Sequence, residues 1–215
     1  DRSKYNIFFP NKMHLNILNI NSIKKYLRLK KPNYLIHLAG LSRPMDLHEK
    51  NINKSIDLNI IGTANITKIC SDLKIKLIYI STSYVYPGEK GNYKETDPIK
   101  PINNYGLSKM GGEAAVRMYK NSLVVRASMT EKPFIHSKAF SDFITNFIYH
   151  EDFVKLLFKV INKKGIINIG GKSQSVYSFA KSKNLNIKKI SAKKLYKKTK
   201  KIDIGMDLQE LKKIV

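Results

Sequence analysis

Residues 77–86 read Leu-Ile-Tyr-Ile-Ser-Thr-Ser-Tyr-Val-Tyr and residues 105–109 read Tyr-Gly-Leu-Ser-Lys; these two runs decide the fold. The first is β-branched and aromatic and ends in hydroxyls, the pattern of a buried strand that stops at Ser81, Thr82 and Ser83. The second opens a helical pattern. Its spacing puts the phenol of Tyr105 and the ammonium of Lys109 on one helix face, one turn apart. A phenol in water titrates near pH 10, too high for acid–base work at neutral pH. A fixed cation beside it favours the phenolate and lowers that value. A strand-end hydroxyl can then hydrogen-bond the oxygen whose charge changes. Together these parts suit the movement of a proton to or from a carbinol oxygen.

Working outward, three buried runs (Tyr34 to Ala39, Lys76 to Ile80 and Ser122 to Ala127) alternate with helical patterns at Ser22 to Lys31 and Asn53 to Leu73. That alternation predicts an α/β protein built on a parallel sheet. The apolar run ending at Ala39-Gly40 has small residues where a ligand approaches a strand end closely. His14 to Asn21 alternates weakly and is expected to end a strand, with Asn19 either contacting a ligand or capping the next helix. Lys188 to Lys201 is expected to be a solvated basic helix face or tail.

The longer run 79–113, YISTSYVYPGEKGNYKETDPIKPINNYGLSKMGGE, resembles the extended short-chain dehydrogenase/reductase family, most of all its dTDP-4-dehydrorhamnose reductase branch. The likeness is clear from Asn33 to Ser128 and weaker beyond. It implies a Rossmann-like doubly wound sheet, with an NAD(P)-binding domain over 1–128 and a small C-terminal substrate lobe over 129–215. It implies NADP or NAD as cofactor and reduction of a keto group on a nucleotide-linked sugar. Thr82, Tyr105 and Lys109 then form the catalytic set, with Lys109 also on the nicotinamide ribose. Asn19, Ala39, Gly40 and Asn59 fall at cofactor positions, and Thr82, Ser83 and Arg126 at substrate positions. Ser83 departs from the pattern, since many relatives place an acid there. Two other activities fit the same family: an epimerase using the same three residues, and a nucleotide-binding relative without turnover.

Gly40 is the first glycine in the chain, so no glycine-rich phosphate turn precedes it. The expectation is a fragment lacking the first strand–turn–helix unit. Asp1 and Arg2 would then stand where the adenosine ribose is selected, and do not choose between the cofactors.

The 215 residues are 42% hydrophobic, enough to bury a sizeable core. A lone cysteine, Cys70, excludes a disulfide framework and fits a reducing, cytoplasmic setting. No apolar run is long enough to span a bilayer, no leader pattern opens the chain, and no metal-ligand spacing occurs. The net charge of +24 invites a nucleic-acid reading. Against it, the basic excess is lysine spread along the chain, while arginine, the bidentate phosphate and guanine reader, is scarce. The expectation is therefore no nucleic-acid partner; the resemblance implies a nucleotide sugar as substrate, and a homodimer is compatible with the fold. Arg43 is either a contact for the substrate phosphate or a surface side chain. Glu113 either pairs with Lys109 or faces water.

Overall fold

A computed structural model describes residues 5–182, 186–193, 195–196 and 199–215. Asp1 and Arg2 lie outside the described residues. The chain runs α1 (Ile20–Lys30), β1 (Tyr34–His37), α2 (Leu47–Lys50), α3 (Ile52–Ile56), a π-helical turn (Asp57–Ile61), α4 (Gly62–Asp72) and β2 (Lys76–Thr82). It continues through α5 (Asn104–Arg117), β3 (Ser122–Ala127), β4 (Met129–Thr130), β5 (Lys138–Phe140), β6 (Phe143–Thr145) and β7 (Ile148–Tyr149). The remainder is α6 (His150–Val160), β8 (Gly165–Ile169), β9 (Gln174–Ser175), α7 (Val176–Lys181), β10 (Lys188–Ile190), β11 (Ile202–Asp203) and α8 (Gln209–Lys212).

The main sheet is parallel, in the order β1-β2-β3-β8. Successive strand residues point to opposite faces, and the two faces carry separate cores. Ile78 and Ile80 of β2 meet Leu123 and Val125 of β3 and Phe153, Leu157 and Val160 of α6. Leu77, Tyr79 and Val124 face the other way, onto Ile23 and Leu27 of α1, Ile66 and Ile69 of α4 and Val116 of α5. Helices on both faces are what hold a parallel sheet. Each such aliphatic side chain contributes about 1.5–3 kcal/mol by leaving water. Among the described residues no helix is long and apolar enough to cross a membrane.

The structure corrects the expected layout in several places. Residues 14–19 form turns and not a strand, because Asn11, Asn16 and Asn19 side chains take up backbone N–H groups along that stretch. The helix expected over 53–73 is interrupted by the π-helical turn around Asn59. The chain after residue 128 does not stay in a separate lobe. β8 pairs with β3, and Phe153, Leu157 and Leu211 complete one face of the main sheet, so α6, β8 and α8 belong to the larger unit. What remains is a small subdomain built on Phe134, Phe143, Phe179, Ile202 and Ile204. Part of the basic run is not helical: Lys188–Ile190 is a strand paired with β5.

Candidate active site

β2 ends at Thr82, whose Oγ1 accepts the backbone N–H of Tyr84 at 3.3 Å and so caps the tight turn that follows. Asn103 caps α5 through the N–H of Gly106 at 2.8 Å, which starts the helix one residue before Tyr105. Gly106 lets the helix approach the turn after β2, since a Cβ there would stand 2.4 Å from the carbonyl oxygen of Tyr84. The close approach brings the Tyr105 phenol near enough to the Thr82 hydroxyl for the hydroxyl to favour its ionised form. One turn on, the Lys109 ammonium lies 4.2 Å above the ring centre of Tyr79, a cation–π contact. Thr82, Tyr105 and Lys109 therefore gather at the carboxyl end of β2.

The electrostatics differ from the sequence expectation. Burial raises the Tyr105 phenol above its ordinary range, and the Thr82 hydrogen bond and the charge of Arg43 pull it part of the way back. The cation that acts on the phenol is Arg43, not Lys109. Burial pushes Lys109 itself down to about 7, opposed by Glu113. Arg43 is an exposed side chain, as the surface alternative has it, and pairs there with Glu131.

Ala39 and Gly40 form an exposed turn at the end of β1. A Cβ on Gly40 would meet Asn59 Oδ1 at 2.7 Å. Asn59 is fully engaged: Oδ1 accepts Leu41 N–H at 2.7 Å, and Nδ2 donates to the Leu41 carbonyl and to Ser108 Oγ, each at 2.8 Å. It ties the turn to the catalytic helix and leaves no group for a ligand. Asn19 Oδ1 accepts Ser22 N–H at 3.0 Å, which is the capping alternative.

Two expected substrate residues are turned inward. Ser83 is wholly buried, and its hydroxyl shares a 2.5 Å hydrogen bond with Ser128, which in turn bonds Thr145 at 2.7 Å. Arg126 is 1% exposed, with its guanidinium on Glu113, on Tyr86 Oη at 2.9 Å and on the Glu95 carbonyl at 3.1 Å. Its charge is spent inside the protein, and Glu113 is likewise taken from Lys109. Sequence reasoning missed His48, whose ring lies 5.1 Å from that of Tyr105, and Tyr84, 5.7 Å away on another side. The alternation of Tyr79 with Ile78 and Ile80 was the signal that Tyr79 would face α5.

The sequence matches the RmlD substrate binding domain family over residues 1–163. It is 34% identical over 102 residues to Methionine adenosyltransferase 2 subunit beta of Xenopus laevis, covering 47% of this chain and 30% of that protein. It is 26% identical over 171 residues to dTDP-4-dehydrorhamnose reductase of Aggregatibacter actinomycetemcomitans, covering 79% of this chain and 53% of that one. The chain thus spans about a third to a half of the length of these curated relatives. Among solved structures, dTDP-4-dehydrorhamnose reductase of Bacillus anthracis in complex with NADP superposes with a TM-score of 0.82 at 26% identity, over 91% of this chain and 80% of that one. With a parallel sheet, helices on both faces and this match over three quarters of its length, the chain belongs to the RmlD substrate binding domain family.

Proposed function

We propose that the protein containing this chain reduces a keto group on a nucleotide-linked sugar, using NADPH or NADH. The observation that carries this reading is the Tyr105 phenol set beside the strand-end hydroxyl of Thr82, with Lys109 one helical turn further on. The names of the 26%-identical reductases, one of them in complex with NADP, support it. The exposed Ala39-Gly40 turn suits a cofactor lying across the carboxyl edge of the sheet, since nothing bulky stands there. Lys109 is the group to hold its ribose.

A reduced nicotinamide supplies the hydride to the carbonyl carbon. Tyr105, with its proton held firmly by burial, is a neutral phenol at pH 7 and so a proton donor for the carbonyl oxygen. Thr82 hydrogen-bonds that oxygen as negative charge builds on it. Arg43 offsets the phenolate left behind, which regains its proton from water. Overall the carbonyl gains a hydride on carbon and a proton on oxygen, and the cofactor is oxidised.

One observation speaks for a second reading, a subunit that binds nucleotide without turnover: the 34% identity to a protein named as a subunit. The intact Thr82–Tyr105 contact weighs against it, because a binding surface has no proton to move. An epimerase with the same residues returns its cofactor unchanged. Loss of NADPH absorbance in stoichiometric amounts with a nucleotide-linked keto sugar tests all three, and binding without oxidation would overturn the reductase reading. The net charge of +24 favours capture of an anionic nucleotide sugar. Exposed Ile52, Ile56, Ile61 and Leu107 on adjoining helices support a homodimer, checked by sedimentation velocity. The buried free thiol of Cys70, pushed up to about 12 by burial, is consistent with a cytoplasmic setting.

A further inference from the structure

His48 is wholly buried, and its Nε2 has no hydrogen-bond partner. Its Nδ1 is held by Ser55 Oγ at 2.7 Å, and its ring stands edge-on to that of Tyr105, with centres 5.1 Å apart at 60°. The neighbouring Glu49 grips the first turn of α5: its Oε1 accepts Asn104 N–H at 3.2 Å, and its Oε2 accepts Asn104 Nδ2 at 2.5 Å. α2 is therefore fastened to the catalytic helix at Asn104, the residue before Tyr105. An unpaired buried nitrogen carries a desolvation cost that an apolar ring of the same size would not incur. Among the described residues the aromatic ring that this imidazole meets is that of Tyr105.

We propose that His48 is a positioning residue for Tyr105: Ser55 anchors one edge of its imidazole, and the ring sets the phenol against Thr82 and supports it once the proton has gone. The inference rests on the reductase reading above. The T-shaped contact sets the imidazole against a ring that becomes negatively charged in the phenolate, and the tautomer with its hydrogen on Nε2, Ser55 then donating to Nδ1, is the one that offers a positive edge. Burial and Lys109 keep His48 below its ordinary range while Glu49 opposes them, so it acts as a neutral dipole. The other groups that act on Tyr105 are Thr82, Arg43, the buried phenol of Tyr79 and the Tyr84 ring.

The test uses the full-length protein. Absence of NADPH oxidation by the unmodified protein with any nucleotide-linked keto sugar removes the reductase reading and this inference with it. Given turnover, His48→Phe, which keeps the ring but not its nitrogens, should lower kcat about tenfold with KM for the sugar within about twofold. The alkaline limb of its kcat profile, which reports Tyr105, should move to higher pH. His48→Gln, which keeps one side-chain N–H, should recover part of both effects. Unchanged kcat and an unmoved limb in His48→Phe would overturn the proposal. If that variant does not fold, Ser55→Ala takes its place with the same expected direction, and an unmoved limb there overturns it equally.

Discussion

Glu113 and Arg126 form a buried ion pair, with Oε1 and Nη2 2.5 Å apart, that joins the helix carrying Tyr105 to the strand beside β2. Ser81 of β2 adds a third tie, donating to Glu113 Oε2 at 3.0 Å. Glu113 holds the Arg126 guanidinium above its ordinary range, where burial alone would have pushed it down.

Glu113→Gln or Arg126→Met should therefore destabilise the fold by about 3–5 kcal/mol, because each leaves one charge buried and alone. The double replacement by apolar side chains should cost much less than the sum of the two. Urea denaturation of the three variants checks this, and additivity would mean the pair is not coupled.

Tyr105→Phe should cut turnover about 10²–10⁴-fold while leaving the fold and cofactor affinity nearly as they were. Thr82→Val should cut it less, since the phenol remains. Steady-state NADPH oxidation and a fluorescence titration of the cofactor separate the two effects.

How much of this was legible beforehand depends on whether a feature is local. The Tyr105–Lys109 spacing is a property of one helix, so the shared face was readable and α5 carries it. The strand ending at Thr82 announced itself through its β-branched run. Arg126 and Ser83 were misread because their roles depend on what packs against them: Glu113 from α5 in one case, and Ser128 after β3 and Thr145 of β6 in the other. The return of β8 to the main sheet is likewise a pairing between residues far apart, and no periodicity within 165–169 names β3 as its neighbour.

His37 gives a pH dependence with a definite sign. Burial, helped by the charge of Lys109, lowers it from 6.5 to about 3 in the folded protein. Between those values the unfolded chain binds the proton and the folded one does not, so stability falls as pH falls through that window and is full above it. His37→Gln should flatten this part of the curve. Urea midpoints at about pH 7, 5 and 4 measure it.

Lys109 works at the other end of the scale. Held near 7 by burial, it stays neutral in the fold where the unfolded chain still carries the charge, up to about pH 10.5. Stability should rise with pH across that interval. Lys109→Met should remove part of the rise while abolishing turnover, and thermal midpoints at about pH 7 and 9 would reveal it. A rise of equal size in the variant would refute the assignment.

The row of hydroxyls Ser83, Ser128 and Thr145 carries one further consequence. Each hydroxyl has a single hydrogen to give, so the row admits two internally consistent directions, and fixing either end fixes the other. Its far end belongs to β6, in the small subdomain, and its near end adjoins Thr82. Thr145→Val would thus leave Ser83 to choose its orientation without instruction, so the smaller unit writes a polarity into the strand end beside Thr82.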